Sequence, residues 1–211
     1  MLQKQRIWDL PTRIFHWTFA ISVVLSMLIV YGKKYLALHI IVGTFAFALL
    51  LGRFIWGLTG TKYVRFSSFV KSKDEIKREF SIISGSKDSH IVGHPPIAGF
   101  VMLFMMFCGL SIGISGLLLY FWADEKTKEA LFDFHEMAAN TLLVIAFIHI
   151  QGVFMHMFLH HDGIIMGMVN GKRPAYKNEQ ISDLTIFQKL VAILWFSASL
   201  SCIIFYLYKA V

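Results

Sequence analysis

Charge is scarce in this sequence. Only 16% of its 211 residues are Asp, Glu, Lys or Arg, against about 25% in soluble domains. With 56% hydrophobic residues and a mean hydropathy of +0.62, that shortage excludes an ordinary water-soluble globule. Cysteine is scarcer still: Cys108 and Cys202 stand far apart, each inside an apolar run, and read as inert core residues. No C-x-x-C-H stretch occurs, which excludes covalent attachment of a c-type group. The first apolar run follows Lys4, Arg6 and Arg13 but contains His16 and Trp17 and lacks a small-residue cleavage site, so it reads as a retained span. There is no internal repeat and no nucleic-acid motif to accompany the formal charge of +7 and pI near 9.4. In a polytopic chain such an excess of Lys and Arg reflects topology and anionic lipid headgroups.

What is present is a single membrane domain over residues 1–211 with five apolar runs, at about 14–31, 35–58, 97–122, 133–159 and 187–208. Ahead of the first, Trp8 is expected as a headgroup-level anchor, and Asp9 or Thr12 as a helix cap beside Pro11. A tight turn at Gly32, Lys33 and Lys34 joins the first two spans. Over 59–96 hydropathy collapses and seven Lys/Arg appear. Phe66, Phe69, Val70, Ile76, Phe80 and Ile83 recur there at loosely helical spacing, which suits either a helix on the headgroups or a solvated linker. The small residues Gly109, Gly113, Ser115 and Gly116 in the third run invite close approach by a neighbouring helix or a flat ligand. The N-terminus, the 59–96 loop and the loop after the fourth span are the basic ones, so all three are expected on the cytoplasmic side of a bacterial inner membrane, with the C-terminus outside.

Ionisable groups do not belong in hydrocarbon without a reason, yet His16, His39, His135, His149 and His156 all lie in or at these runs. On a helix, the fourteen positions from His135 to His149 fall about 40° short of four turns and rise about 21 Å, so both rings leave one face at two depths. Going up from His16 and down to His39 leaves a depth difference of about 18 Å. His39 therefore matches His135 near the outer side, and His16 matches His149 near the inner side. His156 in place of His149 would need about 31 Å. Two opposed imidazoles fill both axial positions of a heme iron, which favours electron transfer over oxygen chemistry, whereas zinc wants three or four close ligands. Two hemes b are the cofactors this pattern asks for. Arg13 and Arg53 are candidate partners for the inner heme's propionates, and Lys33 or Lys34 for the outer one's.

The same residues carry a family likeness. RIWDLPTRIFHW (residues 6–17), HEMAANTLLVIAFIH (135–149) and HHDGIIMGMVNGKR (160–173) resemble the prokaryotic cytochrome b561 family, which includes the b-type cytochrome subunits of nickel-iron hydrogenases. The resemblance implies an all-α membrane protein: a four-helix transmembrane bundle holding two hemes, with axial ligands falling on His16, His39, His135 and His149. It further implies electron exchange between the quinone pool, ubiquinone or menaquinone, and a periplasmic cytochrome or a hydrogenase or other reductase subunit. Stand-alone relatives oxidise superoxide and reduce quinone. The fifth span is the departure from the four-helix pattern. His156, with His160, His161 and Asp162 at the rim, reads either as part of a quinone pocket that exchanges protons or as contacts to headgroups or propionates. A competing class is a heme-free transporter or structural subunit in which the histidines relay protons or carry metal; its usual signatures, broken helices and internal repeats, are missing from the sequence.

Overall fold

A computed structural model of the chain describes residues 3–30, 35–68, 96–160 and 163–210. The turn at Gly32 to Lys34 and the amphipathic stretch expected beyond Ser68 lie outside the described residues, as do His161 and Asp162. Five long helices dominate: α1 Leu10–Val30, α2 Leu36–Thr59, α3 Pro96–Phe121, α4 Lys128–His160 and, after a short helix α5 Ile164–Asn170, α6 Ile186–Ala210. Each of the five is long and apolar enough to cross a membrane. They lie within a few residues of the five expected runs because hydropathy reports where the chain can leave water.

α4 has 33 residues, about 50 Å at 1.5 Å per residue, and so outruns a hydrocarbon layer of about 30 Å. The excess length lies at its polar ends, with Lys128, Glu129 and Asp133 in the first two turns and His156 near the finish. α2 is the hub, packing on α1, α3 and α6, while α3 packs along α4. The small residues of α3 serve this packing. A methyl group at Gly113 would strike the Phe47 ring of α2, and one at Gly116 would sit 3.2 Å from the His135 ring of α4.

One end of the bundle is closed by a plate that the all-α expectation did not contain. β1 Gln3–Arg6 pairs antiparallel with β2 Lys172–Ala175, Gln3 opposite Ala175 and Arg6 opposite Lys172. Asp9 caps α1 by accepting from the Thr12 N–H at 2.8 Å, as expected, and its other oxygen accepts from the Thr61 hydroxyl at 2.6 Å. Thr12 in turn accepts from the Trp56 indole at 3.1 Å. Gly171 ends α5 with φ 81, in the left-handed region that only glycine enters freely, and its carbonyl takes the N–H groups of Ile7 (2.8 Å) and Trp8 (3.1 Å). Trp8 is only 3% exposed and packs with Ile7, Trp56, Val64, Ala175 and Trp195. The expectation of a headgroup anchor is thereby corrected: strand pairing of the preceding residues folds the indole inward, where its ring area is buried in protein.

The fifth span is a buttress. The Trp195 indole of α6 donates to the Leu49 carbonyl of α2 at 2.9 Å and stacks toward Trp56 at 6.2 Å between ring centroids. Both cysteines are free, Cys108 being buried.

Candidate functional site

Four histidines reach into the space between α1 and α2 on one side and α4 on the other. Among the described residues the backbones of α1 and α2 make at most marginal contact with α4, so side chains rather than main chain define this cleft. At the end away from the plate, His39 of α2 faces His135 of α4 with ring centroids 6.3 Å apart and planes at 71°. Two metal–nitrogen bonds of about 2 Å, plus about 1.1 Å from each nitrogen to its ring centre, put opposed imidazoles about 6 Å apart. The observed 6.3 Å is close to that separation.

Hydrogen bonds fix which nitrogen each ring offers. His39 Nδ1 lies 3.0 Å from the Ser26 carbonyl of α1; a carbonyl only accepts, so Nδ1 carries the proton and Nε2 is left bare for a metal. His135 Nδ1 lies 3.0 Å from the Ser115 hydroxyl of α3. That hydroxyl also stands 2.7 Å from the Ser111 carbonyl one turn back, to which it donates, leaving its lone pairs for the ring. Each ring of this pair is thus oriented from behind by a different helix.

At the plate end, His16 of α1 and His149 of α4 lie close enough for their charges to interact. The His16 ring stands edge-on to Trp17 at 5.0 Å. Its Nδ1 is buried and makes no hydrogen bond among the described residues. A buried imidazole nitrogen without a partner is costly in protein. No group of three or more His, Cys, Asp or Glu that could hold a metal occurs among the described residues. Paired imidazoles fit a b-type heme and do not fit a closed zinc site.

The remaining expected residues divide. Arg13 lies one turn before His16; it donates to the Val169 carbonyl at 2.6 Å and keeps a buried Nε that makes no hydrogen bond among the described residues. Arg53 is only 2% exposed and donates to the Val64 carbonyl at 3.0 Å; its guanidinium lies over the Phe66 ring and interacts with the Asp9 charge. Its geometry is that of a brace within the plate. His156 is half-buried on α4, two turns beyond His149. An open groove of about 570 Å³ runs along α4 past Asp133, Glu136, Asn140 and Thr141. Those positions lie on the opposite side of the helix from His135, so this groove is not the histidine cleft.

Sequence reasoning missed Ser26 and Ser115. Ser115 stood among small residues read as packing, and its address relative to His135 depends on how α3 lies against α4. A family model described as prokaryotic cytochrome b561 matches residues 7–171, which takes in α1 to α5 and stops before α6. No curated protein and no solved structure matches the chain.

Proposed function

Since the chain belongs to the prokaryotic cytochrome b561 family and is a multi-pass membrane b-type cytochrome of electron transfer, we propose that it binds two hemes and carries electrons across a bacterial inner membrane. The ligand pairs are His16 with His149 and His39 with His135. The plate is the cytoplasmic end on the positive-inside rule, because its strands carry Lys4, Arg6, Lys172 and Arg173, and the sequence has its basic loops after α2 and α4.

The observation that carries this reading is the 6.3 Å approach of His39 to His135 with a bare Nε2 on His39. Heme held by two imidazoles would supply a one-electron couple that neither binds nor activates oxygen. The chain supplies the rest. It holds two pairs of rings about 20 Å apart along α4, excludes water with apolar helices, and offers Arg13, one turn from His16, to an inner propionate. Arg53 supports that end through Asp9 and the Val64 carbonyl. Ubiquinol or menaquinol is the membrane-soluble electron carrier, with His156 as the proton-exchanging group nearest the inner heme; the outer partner is a periplasmic cytochrome or a hydrogenase or reductase subunit. At the outer end Lys126 and Lys128 are mixed with Asp124, Glu125 and Glu129, and this mixed charge does not concentrate a small anion such as superoxide.

The test is vectorial electron transfer. Reconstituted in vesicles with quinol in the bilayer and an impermeant acceptor on the far-end side, the wild-type chain is expected to reduce the acceptor. His16→Ala and His135→Ala are each expected to stop it. Transfer that persists in either variant would remove the two-heme path. His156→Ala is expected to slow quinol-driven heme reduction about a hundredfold or more, the size of one general acid–base contribution.

A further inference from the structure

Ser115 has an unusual combination of features for a serine in a membrane helix. It is 2% exposed, and its proton has a place to go, the Ser111 carbonyl 2.7 Å away. That would be enough to settle a lone hydroxyl in hydrocarbon. Ser115 does more, because its oxygen also faces His135 Nδ1 across helices at 3.0 Å. Next to it Gly116 leaves the ring the room it occupies, since a methyl group there would come within 3.2 Å of His135 Cε1. The proton count assigns roles. The Ser115 hydroxyl donates to the Ser111 carbonyl, so toward the ring it accepts; His135 therefore carries its proton on Nδ1 and presents Nε2.

We propose that Ser115 is a positioning residue for the outer heme: by accepting the Nδ1 proton of His135 it fixes that ring's tautomer and angle and makes it a stronger electron donor to the iron. The inference rests on His135 being an axial ligand. A ligating imidazole whose far N–H is held by an acceptor is the more basic one, and metal potentials respond to that outer shell. The Ser111 carbonyl strengthens the effect by polarising the hydroxyl oxygen that receives the proton. The partner ring is treated the same way, with Ser26 offering a full carbonyl to His39 Nδ1 at 3.0 Å. His16 of the inner pair has no such acceptor among the described residues. The outer iron thus has two reinforced ligands, and its oxidised form is favoured. The Ile112 carbonyl lies within reach of His135 and 3.1 Å from Ser115 Oγ. Loss of the hydroxyl accordingly weakens the hold on the ring without abolishing it.

The experiment is a redox titration of the purified holoprotein, read from the heme absorption bands, with His149→Ala used to mark which midpoint belongs to the inner heme. In Ser115→Ala the outer midpoint is expected to rise and the inner one to stay; Ser115→Thr, which restores a hydroxyl, is expected to bring the outer midpoint back. Should Ser115→Ala lose the outer heme outright, Ser115→Cys serves instead, since a thiol of similar size accepts hydrogen bonds weakly, and an upward shift of the outer midpoint is again expected. Two hemes retained with both midpoints unmoved in Ser115→Ala would overturn the role of Ser115 while leaving the ligand pairs standing. Both hemes retained in His135→Ala would instead overturn the ligand reading, and Ser115 with it.

Discussion

The two ends of the bundle hold their histidines by different means. At the plate end the surroundings of His16 are fixed by parts distant in sequence: β1 against β2, Gly171 receiving Ile7 and Trp8, Asp9 joined to Thr61, and Trp56 joined to Thr12. At the other end His39 and His135 lie away from the plate, each steadied by donating from Nδ1 to an oxygen of a neighbouring helix. The first end draws its rigidity from a packed core with a buried hydrogen-bond network, the second from helix geometry and a few oxygen atoms. Damage to the plate should therefore cost folding stability and disturb the inner site, while damage behind His39 or His135 should leave stability nearly intact and change only the outer site.

The harshest way to break this comparison is Arg53→Ala. It empties the space of a side chain only 2% exposed and removes the hydrogen bond to the Val64 carbonyl, a cavity and a lost charge-assisted bond that together cost about 3–5 kcal/mol. A drop in the thermal midpoint is expected, with the inner heme lost before the outer one on heating. Gly171→Val comes next. It forces a β-branched residue to φ 81 and pushes a Cβ to 2.8 Å from the Trp8 carbonyl oxygen, a strain of about 1–3 kcal/mol, measurable as a lower thermal midpoint. Trp195→Phe keeps an aromatic ring, though a smaller one, and drops the indole bond to the Leu49 carbonyl. A loss of about 1 kcal/mol is expected, with both heme midpoints unchanged, which separates the buttress from the sites.

The smallest effect concerns the exposed rim. A hydrogen bond from Arg6, and its charge, hold the Asp183 carboxyl below the usual carboxylate range. A lowered folded-state pKa stabilises above the unfolded value, about 3.9, and that stabilisation fades as pH falls through the folded value. Arg6→Gln should thus lower the thermal midpoint slightly at neutral pH and not at all well below pH 3. A difference that grows with acid would contradict this assignment.

Much of this was legible in the residues. Five apolar runs gave five helices because hydrocarbon selects length and composition, and both properties are local. The cap at Asp9 was legible because its partner, the Thr12 N–H, is three positions away. The meeting of His39 with His135 followed from counting rises along two helices. Pairing of QKQR with KRPA was not legible, since two four-residue strands from opposite ends of the chain carry too little alternation to announce each other. Trp8 was misjudged for a related reason: an amphipathic ring near a span end suits a headgroup or a protein interior, and only the strand pairing decides between them. Ser115 escaped because a small residue on a helix face gives no sign of which neighbour it will meet.

The central claim is two ligand pairs at two levels, and the most direct measurement is heme content per chain in the wild type and in the four single His→Ala variants at 16, 39, 135 and 149. Two hemes in the wild type are expected. His16→Ala and His149→Ala should lose one and the same spectral component, and His39→Ala and His135→Ala should lose the other. A wild type holding a single heme, or a pair whose two variants lose different components, would contradict it.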